Sequence, residues 1–171
     1  MKRIGLLSDT HGYLDPALKE HFQDCDEIWH AGDIGSWEVM DTLATWGKTL
    51  RAVYGNIDDH TMRRSYPEDL IVEIEGTRIL MTHIAGSPGK YNPRVRKLLE
   101  THHPHVLICG HSHILKVVYD ERFQDLYINP GAAGRHGFHI FRTAIRFTVL
   151  DGKVSSLEAI ELGNRGRINP E

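Results

Sequence analysis

A chain of 171 residues, 40% hydrophobic and 25% charged, can bury one sizeable core, and its composition excludes a disordered or fibrous protein. The formal net charge of -3 excludes the basic surface that general polyanion binding needs, so no stable nucleic-acid partner is expected. One domain over residues 1–171 is the expectation from length.

The chain opens with the apolar stretch Ile4 to Leu7, which reads as a strand ending at Ser8-Asp9. This is too early for the apolar core of a secretory signal, and no run elsewhere could span a bilayer, so cytoplasmic residence and no membrane partner are expected. Pro16 to Phe22 then reads as a helix with Asp15 as N-cap. The pattern repeats with a strand from Glu27 to His30 into Gly32-Asp33, a helix from about Ser36 to Trp46, and a strand from Leu50 to Tyr54 into Gly55-Asn56. Alternation of this kind predicts parallel strands in an α/β sheet.

From Leu70 the character changes. Ile71 to Ile74 and Arg78 to Met81 flank a turn and read as a hairpin. Asn92 can cap a helix that has Pro93 in its first turn and Val95, Leu98 and Leu99 on its buried face, followed by a strand from Val106 to Cys109. The remainder reads as strands at Leu115 to Tyr119, Leu126 to Ile128, Thr143 to Leu150 and Val154 to Ile160, with Asp151-Gly152 a hairpin turn and a fraying polar tail from Gly163 to Glu171. The basic groups Arg63-Arg64 and Arg165-Gly166-Arg167 read as solvated surface, and Cys25 and Cys109 as isolated thiols.

Histidine occurs 12 times, and several copies stand where strands stop. Asp9 and His11 follow the first strand, Asp33 the second, Asn56 the third, His83 the hairpin, and His111 and His113 the strand after the last helix. Loops at the carboxyl ends of parallel strands converge on one edge of a sheet, which would bring these seven polar side chains together. Each residue alone has an ordinary use as a turn, a cap or a hydrogen-bonded core histidine. Gly110-His111-Ser112-His113 is the strongest single element, because histidines two apart in an extended or turning segment can address two adjacent metals. Gly86 to Tyr91 is too short in its glycine spacing for a phosphate-binding P-loop and reads as a flexible loop over the site. Arg135 to His139 reads as an exposed turn near the same edge that could neutralise a phosphate.

Asp9-Thr10-His11, Gly32-Asp33, Gly55-Asn56-Ile57-Asp58, Thr82-His83 and Gly110-His111-Ser112-His113, in this order, resemble the blocks of the calcineurin-like metallophosphoesterase superfamily. With the small size and Asn129-Pro130-Gly131, residues 3 to 150 look most like the small phosphodiesterases of the YfcE type. The resemblance implies a four-layer αββα sandwich of two mixed sheets. It places Asp9, His11, Asp33 and His113 on one metal and Asp33, Asn56, His83 and His111 on a second, with Asp33 bridging, and assigns catalysis to Asp33, Asn56 and His83. Two divalent ions are implied, Mn²⁺ foremost, with Zn²⁺, Fe or Ni²⁺ compatible, and a bridging hydroxide that attacks a small or nucleotide-like phosphodiester. The alternative is a non-catalytic scaffold like the retromer subunit of this fold. Many superfamily members carry histidine where Ile57 stands, and relatives often have Gly-His after the histidine that matches His83. The sequence leaves the oligomeric state open.

Overall fold

The computed structural model describes residues 1–166. Its elements in chain order are β1 (Lys2–Leu7), α1 (Leu18–His21), β2 (Glu27–His30), α2 (Trp37–Ala44), β3 (Thr49–Ala52), α3 (His60–Ser65), β4 (Asp69–Ile74) and β5 (Thr77–Thr82). Then come α4 (Pro93–His102), β6 (Val106–Ile108), β7 (Leu115–Asp120), β8 (Asp125–Pro130), β9 (Phe141–Leu150) and β10 (Lys153–Asn164).

The strands form two mixed sheets of five, ordered β10-β9-β1-β2-β3 and β4-β5-β6-β8-β7. The parallel pairs are β1 with β2, β2 with β3, β5 with β6 and β6 with β8, so the two sheets each contribute parallel carboxyl ends. Strand alternation explains the layering, because successive side chains leave opposite faces of a sheet. In β1, Ile4 and Leu6 enter the layer between the sheets, as do Trp29, Ile79, Met81, Val106, Ile108, Ile145 and Phe147. Leu7 and Ile28 point the other way, onto Leu18, Phe22, Val39, Met40 and Leu43 of the helical side. On the second sheet Leu80, Leu107 and Cys109 face Val95 and Leu99 of α4. The result is the αββα sandwich. Truncating a residue such as Phe147 or Ile108, both fully buried, would cost on the order of 2–5 kcal/mol.

Local structure departs from the sequence expectations at several places. The first helix is one turn, Leu18–His21. Asp15 is not its N-cap: that position is Ala17, without a side-chain cap, and the Asp15 carboxylate instead accepts from Ala17 N at 2.9 Å in a preceding turn. Helix α3 was not expected; Asp59 starts it by accepting from Met62 N at 3.0 Å. Asn92 caps α4 as expected, accepting from Val95 N at 2.9 Å. Gly163 and Asn164 do not fray but end β10, paired with Arg142 and Phe141 of β9, while residues 167–171 of the expected tail lie outside the described residues. Arg63 and Arg64 are exposed, as expected, whereas Arg165 is half-buried, and Arg63 and Arg165 each hold a backbone carbonyl. Arg63 Nε donates to Asp58 O at 2.8 Å, and Arg165 donates to Gly137 O. Tyr91 belongs to the core beneath α4, so only the first part of the 86–91 segment borders the site. Among the described residues no helix is long and apolar enough to cross a membrane.

Candidate metal centre

The loops after β1, β2, β3, β5 and β6 meet where the two sheets present their carboxyl ends. They are stitched by backbone bonds: Asp9 N to Gly32 O at 3.0 Å, His11 N to Asp33 O at 3.0 Å, and Gly110 N to His83 O at 3.0 Å. Two glycines make the approach possible. A Cβ on Gly55 would lie 2.1 Å from Asp33 Oδ1, and one on Gly110 would lie 2.1 Å from Ser8 Oγ. Five of the seven expected ligand residues, Asp9, His11, Asp33, His111 and His113, have positive φ between 45° and 70°. Such backbone costs about 1–3 kcal/mol per residue and concentrates where function demands it.

The structure brings all seven side chains together. Ligand atoms of Asp9, His11 and His113 lie within 4.8 Å of one another, and so do those of Asp33, His83 and His111. Asn56 joins the second group, its Oδ1 3.1 Å from His111 Nδ1. Asp33 Oδ2 lies between the groups, 3.4 Å from His11 Nε2 and 3.2 Å from His83 Nε2. Its other oxygen is spent on Ile57 N at 3.1 Å.

The donor set fits divalent cations. Asp9 Oδ1, His11 Nε2 and His83 Nε2 are buried and have no hydrogen-bond partner among the described residues, yet they face one another. Orphaned polar atoms at this depth are costly unless something shared satisfies them. Burial would raise the Asp33 carboxyl, but the His11 and His83 imidazoles beside it outweigh this and hold the group far below the usual range. Asp9 is likewise raised by burial and lowered overall, chiefly by His113 and His83. Burial lowers His83, and Asp33 and Asp9 reverse this to a net rise. The pocket is therefore anionic and calls for positive charge. Oxygen and imidazole donors without thiolate suit Mn²⁺, Fe or Zn²⁺.

Supporting residues that the sequence reading missed surround the centre. His30 is fully buried and neutral, its pKa lowered to about 4 by burial. It accepts from Gly32 N at 3.1 Å and therefore donates through Nε2 to Thr10 Oγ1 at 2.9 Å, tying the Asp9–His11 loop to the Asp33 loop. Its signal was its place three residues before Asp33, indistinguishable in sequence from a strand residue. Asp58, expected only as a neighbour of the Ile57 position, accepts from Ile34 N at 3.2 Å, Gly35 N at 2.9 Å and Gly55 N at 2.7 Å. The 135–139 loop does reach the site. His136 stacks on His11 with ring centres 4.8 Å apart, and His139 touches His113. Arg135 turns away, its guanidinium 4.0 Å over the Tyr13 ring, so it does not face the cleft.

A cleft of about 530 Å³ opens above Asp33, His11 and His113 and is walled by Ile57, Ile114, His136 and Phe138. The cleft thus sets a polar, metal-competent floor beneath a partly apolar wall.

Comparisons with known proteins agree with this geometry. Residues 1–152 match the calcineurin-like phosphoesterase superfamily domain. A probable metallophosphoesterase of Methanocaldococcus jannaschii is 33% identical over 135 residues, 75% of this chain and 67% of that one. Another from Methanothermobacter thermautotrophicus is 30% identical over 135 residues, 75% of this chain and 76% of its own. Among solved structures, an archaeal phosphodiesterase aligns with TM-score 0.71 at 22% identity, covering 94% of this chain and 99% of that one. Vps29 of Chaetomium thermophilum aligns with TM-score 0.72 at 17% identity, covering 96% and 100%, and a Zn²⁺ complex of Entamoeba histolytica Vps29 with TM-score 0.70 at 15%, covering 93% and 98%. At these identities the structural likeness speaks for the fold.

Proposed function

Because the chain belongs to the calcineurin-like phosphoesterase superfamily, we propose that it is a metal-dependent phosphodiesterase acting on a small or nucleotide-like ester at a dinuclear centre. Asp9, His11, Asp33 and His113 would hold one divalent ion, and Asp33, Asn56, His83 and His111 the other. The observation that carries this reading is the convergence of two ligand groups on Asp33 Oδ2. Ions bound there would supply the charge that acidifies water and screens a phosphoryl group.

The chain's own residues set the rest. Asp33 fixes the spacing of the groups through one oxygen while Ile57 N holds the other. His83 Nδ1 donates to Ala31 O at 2.8 Å, which leaves its Nε2 lone pair facing the centre. Asn56 contributes an uncharged oxygen, which limits the net negative charge. Ile57 and Phe138 make part of one wall of the cleft apolar.

The test is hydrolysis of bis(p-nitrophenyl) phosphate and p-nitrophenyl phosphate by protein loaded with Mn²⁺, Zn²⁺, Fe²⁺ or Ni²⁺. Faster diester cleavage, lost on chelation and restored by Mn²⁺, is expected. A non-catalytic scaffold would show no turnover with any metal, and a chelator-insensitive hydrolase would remove the metal mechanism altogether.

A further inference from the structure

The metal centre opens on two sides, and the two openings differ in chemistry. The wall His111-Ser112-Ile114 is shared between the 530 Å³ cleft and a second cleft of about 350 Å³. The first is bordered by Ile57, Ile114 and Phe138. The second lies between the Ala85 to Ser87 loop and β7, and its polar lining is Ser87, His111, Ser112, Lys116 and Tyr127 with no carboxylate.

Hydrogen-bond accounting shows which of these groups are free for a ligand. Ser112 Oγ accepts from Asn129 Nδ2 at 3.0 Å and from Ile114 N at 3.2 Å, so its own hydrogen remains to be donated. The orientation of Asn129 is fixed, because its Oδ1 accepts from Gly131 N at 3.0 Å and its Nδ2 also donates to Gly110 O at 3.0 Å. The Tyr127 hydroxyl is spent on Gly86 O at 2.9 Å. Lys116 makes no salt bridge among the described residues; its ammonium lies 5.9 Å from the Tyr127 ring centre. A third cleft beside His83 provides the contrast. It holds Arg63, Arg94 and Glu68, but Arg94 is already paired with Asp69 and Glu68.

We propose that the Lys116 cleft is a substrate subsite for an anionic group, a carboxylate or a second phosphate, carried on one arm of the diester. The inference rests on the phosphodiesterase reading. A diester directs its two arms away from phosphorus on different sides. Here one side presents Ile57, Phe138 and the His136 and His139 rings, with no Lys or Arg, while the other offers Lys116, without a salt bridge among the described residues, and a free hydroxyl hydrogen. The preferred substrate therefore joins an apolar or aromatic arm to a charged one. A simple dialkyl ester leaves the subsite unused. Charge-assisted contacts of this kind strengthen binding by about tenfold or more.

The experiment uses three p-nitrophenyl phosphodiesters whose second arm is propyl, 2-carboxyethyl or 2-phosphonoethyl. A charged arm is expected to lower KM by about tenfold relative to propyl, and the better of the two charged arms identifies the anion. Lys116→Met should bring the ratio to within about twofold of unity, Lys116→Arg should keep it, and Lys153→Met, on the remote end of β10, should not alter it. Equal KM for the three esters, or a preference that survives Lys116→Met, overturns the subsite. Calorimetric binding of non-hydrolysable phosphonate analogues with the same arms separates the two readings. A charged-arm preference in binding without turnover of any ester would sustain the subsite and sink the phosphodiesterase assignment.

Discussion

Nδ1 of His139 lies 3.3 Å from Nδ1 of His113, while the other ring nitrogen of His139 lies 2.8 Å from the Gly134 carbonyl oxygen. A carbonyl oxygen only accepts, so His139 Nε2 carries the hydrogen and a neutral His139 offers its Nδ1 lone pair to His113. His113 then carries its hydrogen on Nδ1 and keeps a lone pair on Nε2, the atom 3.1 Å from Asp9 Oδ1. His139 thus sets the tautomer of an expected ligand. Partners of this kind are worth about 10–100-fold in metal affinity. His139→Ala should weaken metal binding by that factor in calorimetry, and His139→Gln should recover part of it. Unchanged affinity in the alanine variant would remove the role.

Asp33 Oδ2 stands between the two ligand groups, whereas His11 belongs to one. Asp33→Asn removes a charge that both ions would share. It should lower occupancy at both positions and reduce activity more than His11→Ala, which should spare the second position. Metal stoichiometry by elemental analysis, read beside the rate, checks this. Full occupancy and rate in Asp33→Asn would contradict the bridging role.

Asp58 is only 5% exposed and its carboxylate satisfies three backbone N–H groups from the loops that carry Asp33 and Asn56. Asp58→Ala strands those donors, at a cost of about 3–5 kcal/mol. Denaturant unfolding should show that loss. Metal affinity should fall as well, measured at low temperature where the variant remains folded, because the two loops lose their common anchor.

Ligand positions were legible in the sequence because parallel strands end abruptly and the next residue is polar: Asp9, Asp33, Asn56 and His83 each follow an apolar run. The layers came from the resemblance, since Ile4 to Leu7 and Val106 to Cys109 are apolar runs that mark strands buried on both faces without saying what covers each face. What could not be read are contacts made across the fold. His30 lies inside a strand and pairs with Thr10 from another loop, and His139 reaches His113 across 26 residues. Helix α3 was missed because only six residues form it and Met62 alone is buried, too little for a periodic signal. Arg135 was expected near phosphate from its charge, but the Tyr13 ring captures it.

Asp125 begins β8 opposite Asp120, is fully buried, and has no partner for either carboxylate oxygen among the described residues. Burial, and then the charge of Asp120, push its pKa from 3.8 up to about 7. Between these values the folded protein holds a proton that the unfolded chain has released, so stability falls as pH rises from about 4 to 7. Asp125→Asn keeps the side chain neutral. It should flatten this dependence and stabilise the protein above pH 7 by on the order of 1–3 kcal/mol, or about 2–4 °C in Tm for each kcal/mol. Thermal unfolding of both proteins from pH 5 to 8 checks the sign. A wild-type Tm that rises across this range relative to the variant would refute it.

Ile57 occupies the wall of the larger cleft next to Asn56 and is 44% exposed, so no imidazole from this position can protonate a departing oxygen. General acid assistance is typically worth about 10²–10⁴-fold, and a poor leaving group such as an alkoxide needs it while a nitrophenolate does not. Activated aryl diesters should therefore be cleaved faster than simple alkyl ones, with a steep dependence of the single-turnover rate on leaving-group pKa. Ile57→His should flatten that slope if its ring reaches the leaving oxygen. Asp58 is 5% exposed and already accepts from Ile34, Gly35 and Gly55, which leaves it little capacity to orient such a ring. The introduced histidine would have to be held by the cleft wall instead, which limits the expected recovery to a part of the full effect. His136 lines the same cleft and stacks on His11, and it is the group that would supply the proton if the wild-type slope proves shallow. A substituted aryl ester series on wild type, Ile57→His and His136→Ala separates the cases. A steep wild-type slope unchanged in His136→Ala leaves the Ile57 position as the vacant acid site, and a shallow wild-type slope that steepens in His136→Ala moves the acid to His136.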